Sequence, residues 1–175
     1  MKRIAITLLT LFLLSPSTAF GQTRNRSTSR QKPTTATAEA TRVIQVRTQG
    51  AQRVAEQIKL LTRFIYILGG ANSGIAAVDE AVRRNEASPT VVQQNQQSKA
   101  SVKSSIMAFR EGLDKLEIDF RATPELQPYY IKLAGVAAGA AAAEEQAAAN
   151  QFDRSGRTLL DVVNRLADVL VIMRQ

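Results

Sequence analysis

The sequence predicts an all-α fold, a four-helix up-down bundle built from two similar αα-hairpins. Three observations predict it. Apolar residues recur at alternating steps of four and three, as in Phe64, Leu68, Ala71, Ile75, Val78 and Val82. Long stretches, Thr90 to Arg121 and Pro128 to Asn150, run without the β-branched alternation of a strand. The two halves of the chain also match one another when overlaid.

In chain order, Lys2-Arg3, the apolar run Ile4 to Leu14 and the small-residue stretch "SPSTAFGQ" have the order of a secretory signal peptide. The run is too short for a helix across a bilayer of about 30 Å. Residues 1–21 are therefore expected to be removed before Gln22, with cleavage after Ala19 as the alternative. No cysteine follows the apolar run, which excludes lipid attachment there. The expected location is exported, in the periplasm or outside the cell.

Residues 22–38 are rich in Ser, Thr and Arg and contain no large apolar residue. Such a composition cannot bury enough surface to offset its ordering entropy, so disorder is expected. The helical part is expected over 39–175, with hairpin one at about 39–121 and hairpin two at about 124–175.

Within hairpin one, "LGGANSG" resembles a loop by its Gly and Asn content. The apolar stripe crosses it without losing phase, and its counterpart in hairpin two, "LAGVAAG", is alanine-rich. The segment therefore reads as helix. Ser88-Pro89 supply an N-cap and first-turn proline for the second helix. "ATPELQP" breaks the chain between hairpins. An uninterrupted third helix should follow to Asn150, and Asp153 or Ser155 should cap the fourth.

The internal match has two parts. At an offset of 65, Leu68, Gly70, Gly74, Ala76, Ala77, Glu80 and Asn85 meet identical residues at Leu133, Gly135, Gly139, Ala141, Ala142, Glu145 and Asn150. At an offset of 53, the stripe Ile106, Phe109, Leu113, Leu116 and Phe120 meets Leu159, Val162, Leu166, Val169 and Met173. The change of offset implies twelve extra residues near the first turn. Gly70, Gly74, Gly135 and Gly139 are candidate helix-packing positions, because a glycine inside a helix costs about 1 kcal/mol against alanine and close packing would offset it. A homodimer face along that small-residue edge is the sharper alternative.

The residue types missing from the chain limit its chemistry. There is no histidine and no cysteine. That removes Ser-His-Asp and Cys-His nucleophilic sites, the usual zinc sites and histidine-ligated haem. Disulfides are equally impossible, so stability must come from packing. The acid pairs Asp79-Glu80 and Glu144-Glu145 should lie at matching levels of the two hairpins. They leave a carboxylate-only site for a hard cation as an alternative, although solvated flanks fit them better. Met107 and Met173 sit at apolar spacing and are expected in the core, Asn72 at the rim of the seam, and Tyr129-Tyr130 at the bundle end.

The formal charge is +8, but from Thr48 onward the chain carries 15 basic and 14 acidic residues. The excess belongs to the leader and tail, where Arg24, Arg26, Arg30 and Lys32 are weak candidates for binding a polyanionic envelope component. Nucleic acid is not an expected partner for an exported chain with a near-neutral body. The functional expectation is a non-enzymatic envelope or secreted protein that binds or assists assembly, without a cofactor. The alternatives are a carboxylate-only metal protein or enzyme, and a chaperone-like envelope factor.

Overall fold

The computed structural model describes residues 35–175. They form five helices: α1 (Thr35–Arg83), α2 (Pro89–Ala122), α3 (Gln127–Leu133), α4 (Val136–Ala148) and α5 (Phe152–Met173). No strand occurs among the described residues, and the fold is an all-α helical bundle. α1 packs on α2 and α5, and α4 packs on the same two helices, so the core lies inside a closed ring. α3 precedes α4 on that third side, against α2 and α5.

The apolar stripes form this core. Leu61, Leu68 and Ile75 of α1, Ile106, Leu113 and Phe120 of α2, and Leu159, Leu166 and Met173 of α5 are all buried. Val136, Ala140, Ala143 and Ala147 carry the third side, where alanine lets α4 lie close to α2 and α5. The "GGANSG" segment lies within α1, and Ser73 Oγ donates to the carbonyl of Gly69 at 3.1 Å. Ser88 caps α2 ahead of Pro89, its side chain accepting from the amide of Val91.

Several expectations are corrected. α1 begins at Thr35 rather than near Glu39, so Thr35–Ala38 is helix and not disordered tail. The alanines at 36, 38 and 40 favour extension once the packed part has nucleated the helix. Residues 22–34 and the expected signal peptide lie outside the described residues. α5 starts at Phe152 with Gln151 in the cap position, so neither Asp153 nor Ser155 is the cap. Ser155 is buried and donates to the Ala143 carbonyl at 2.8 Å. Met107 is 42% exposed, and only Met173 is core.

The third helix is not continuous. It breaks at Ala134–Gly135, where Gly135 has φ +94°. Both loose ends are held from neighbouring helices. Glu117 Oε1 of α2 accepts from the amides of Gly135 (3.0 Å) and Ala137 (2.8 Å), and Arg165 Nη1 of α5 donates to the carbonyl of Ala134 (3.1 Å). A carboxylate at the start of α4 and a guanidinium at the end of α3 match both the free backbone groups and the helix dipoles.

The hairpin registers also differ from expectation. Val162 Cγ2 lies 2.8 Å from a Cβ placed on Gly139. Offsets of 65 and 53 would transfer that contact to Gly74 and Phe109. Phe109 instead packs against Phe64, ten residues before Gly74, with ring centroids 5.0 Å apart and the planes tilted by 57°. Comparing the second helices at 60 sets Phe109 opposite Val169 in place of Val162. The buried polar residues Asn95 and Ser155 then coincide, and the first turn carries five extra residues rather than twelve. The two offsets differ by one heptad, a step that keeps four of the five stripe positions apolar and sets only Leu159 on Lys99, so the stripe hardly tells them apart.

Candidate functional site

The long first hairpin extends past the second. Lys103 Nζ donates to the carbonyl of Ala148 at the end of α4 (3.2 Å), so the α2 residues before Lys103 project beyond the α4–α5 turn. From Pro89 to Lys103 this amounts to about 21 Å of helix. The projecting tip is a two-helix unit made of the end of α1 and the start of α2.

A polar cluster joins its two helices. Asp79 Oδ1 of α1 accepts from Asn95 Nδ2 (2.8 Å) and from Lys99 Nζ (2.7 Å) of α2. Asn95 is 6% exposed and occupies a position of the α2 stripe. A polar group at such a position fixes the register of a helix pair, because any slip would leave it unbonded. On the flank of the tip lies an open groove of about 370 Å³, lined by Ala71, Gly74, Ile75, Val78, Val91, Gln94, Asn95 and Ser98. Nothing lies within 4 Å of a Cβ built on Gly74, and the missing side chain keeps the groove open.

The four candidate glycines behave differently from one another. Gly139 faces Val162 at close range. Gly70 and Gly74 have no neighbour within 4 Å and so are not helix-packing positions; Gly74 instead lines the open groove between α1 and α2. Gly135 is the left-handed residue of the helix break, beside Arg165 Nη1, and not a packing position inside a helix. The tightest glycine approach of α1 lies elsewhere. At Gly50 an added Cβ would meet Leu126 Cδ2 at 2.8 Å and Met173 Cε at 3.1 Å.

The acid pairs are not brought to one level. Asp79 is paired with Lys99 and Glu144 with Arg110 (2.6 Å), eleven residues and about 16 Å further along α2. Glu80 pairs with Arg83 and Arg84. Among the described residues no three acidic side chains converge. Tyr129 and Tyr130 are half-buried beside the core, and Asn72 lines a smaller groove of about 180 Å³ with Leu68, Phe152 and Gly156. Arg24, Arg26, Arg30 and Lys32 lie outside the described residues.

Asn95, Lys99, Glu117 and Arg165 were not expected from sequence. Asn95 carries a readable signal, being the one polar residue at core spacing near the start of α2. Glu117 and Arg165 carry none, since their partners lie on other helices. No helix among the described residues is long and apolar enough to cross a membrane. A scan against protein-family models matches none, and searches of curated proteins and of solved structures find no match either.

Proposed function

We propose that the chain is an exported, non-enzymatic helical-bundle protein of the cell envelope that works by binding, through the projecting α1–α2 tip. The observation that carries this reading is the groove at Gly74. Its size falls in the range of binding pockets, and it sets the apolar Ile75, Val78 and Val91 beside the polar Gln94, Asn95 and Ser98. A furrow between two helices suits a ridge of apolar side chains from a partner helix. The register-fixing contact of Asn95 with Asp79 would hold the furrow in shape before binding, which limits the ordering cost of association.

Export belongs to the same proposal and rests on the charge and apolar order of residues 1–21. The basic residues Arg24, Arg26, Arg30 and Lys32 would add a salt-sensitive attraction to a polyanionic envelope component. N-terminal sequencing of the exported chain should begin near Gln22.

The binding surface is tested by placing a photoreactive amino acid at Gly74 or Ser98, with the same group at the exposed Tyr66 as the reference position. Irradiation in envelope extract should give an adduct from the groove positions alone, and unlabelled protein should compete it away. Equal adducts from Tyr66, or none from the groove, contradict the proposal.

A further inference from the structure

The four-helix body ends at a definite level of the first hairpin. A Cβ on Gly156 of α5 would lie 3.4 Å from Leu68 Cδ2 of α1, and Asn72 shares a groove with Phe152, the first residue of α5. On α2 the corresponding level is Lys103, whose Nζ bonds to Ala148 at the end of α4. Beyond Asn72 on α1, and before Lys103 on α2, the two-helix tip continues.

Both helices are weakest at this level. On α1 it is straddled by Gly69, Gly70 and Gly74, and a Cβ built on any of the three meets nothing within 4 Å. Each glycine makes local opening of the helix about fivefold easier than alanine would. Ser73 Oγ between them donates to the carbonyl of Gly69. On α2 the same level carries Ser98, Ser101, Ser104 and Ser105. Ser98 Oγ donates to the Gln94 carbonyl (3.1 Å) and Ser105 Oγ to that of Ser101 (2.9 Å). Such back-bonding bends helices, and glycine with serine is a usual cause of a kink. On either side the hairpin is firmer. The body holds the buried Leu61, Leu68 and Ile106, and the tip is tied by Asp79 to Asn95 and Lys99.

We infer that Gly69–Gly74 of α1 and Ser98–Ser105 of α2 together form a hinge, about which the tip swings as one unit against the body. The soft direction is across the plane of the two helices, over the α4–α5 turn. Bending within that plane would slide one helix past the other, against the bonds of Asp79 to Asn95 and Lys99. From Asn72 to Asn85 the lever is about 20 Å long, so a swing of about 20° carries the apex roughly 7 Å sideways. The motion re-aims the tip without unpacking the body, and it exists whether or not the groove takes a partner.

Spin-label distance distributions in frozen solution test the hinge on the full chain. One pair, Ala87→Cys with Gln151→Cys, spans it, and a reference pair, Asp114→Cys with Gln151→Cys, lies wholly in the body. The spanning pair should give a distribution about twice as broad as the reference pair. Gly69→Ala, Gly70→Ala and Gly74→Ala combined meet open space, so the chain still folds, and the spanning distribution should narrow to the reference width. Gly112→Ala makes the same change inside the body, where the Cβ meets Gln57 at an ordinary 3.8 Å, and should leave the width unaltered. Equal widths for the two pairs in the native background overturn the inference. So does a spanning distribution that stays broad in the triple variant, or one that Gly112→Ala narrows as much.

Discussion

Asn85 and Asn150, 65 residues apart, end the first helix of each hairpin in the same left-handed conformation, at φ 57° and 60°. The bonds around them are the same. The amide of Glu86 reaches back to Ala81 (2.9 Å) and that of Gln151 to Gln146 (2.8 Å), while the two Asn amides bond to Val82 (3.0 Å) and Ala147 (2.9 Å). These are Schellman-type ends, in which a residue at positive φ satisfies the last carbonyls of the helix. Asparagine tolerates that region better than other residues with a Cβ.

Replacing either Asn by alanine is therefore expected to cost about 1–2 kcal/mol, and glycine should recover most of the loss. Urea midpoints of the four single variants check this. Equal midpoints for alanine and glycine would contradict the assigned caps.

The helix break gives a second expectation. Glu117→Ala removes the shared acceptor of the Gly135 and Ala137 amides and should lower stability by about 1–3 kcal/mol. Glu117→Gln keeps an acceptor oxygen but loses the charge opposite the start of α4, so it should fall between alanine and the native residue. Thermal unfolding followed by circular dichroism orders the three.

The glycines give a third. Gly74→Ala meets open space and should gain about 1 kcal/mol in helix propensity. Gly139→Ala must displace the buried Val162, and overpacking of about 1–3 kcal/mol should outweigh the same gain. Opposite shifts of the urea midpoint are expected from the two variants.

Helix content was legible because stripe phase depends only on local spacing, and it carried through "GGANSG" correctly. What failed depended on contacts between helices. The stripe fixes register only to within a heptad, so Phe109 was aligned with Val162 rather than with Val169. The break at Gly135 was hidden because the flanking apolar residues Leu133 and Val136 keep helical spacing across it, while Glu117 and Arg165, which hold it open, lie 18 and 30 residues away. Exposure of Gly70 and Gly74 was equally invisible, since it depends on how α1 is rotated toward α2 and α5. The groove at Gly74 shares that origin, because a glycine in a helix does not reveal whether a neighbour or solvent lies beside it.

The reading of the α1–α2 tip as the working surface requires that it project past the α4–α5 turn. The chain has no cysteine, so a pair of spin labels can be placed at will through Ala87→Cys in the first turn and Gln151→Cys in the second. A stagger of about 21 Å along the bundle, with helices about 8–10 Å apart, predicts a backbone separation of roughly 23 Å between these positions. A dipolar distance distribution centred there, allowing for the label arms, is the expected result. A distribution centred below about 15 Å would place the two turns level, and the projecting tip would not exist.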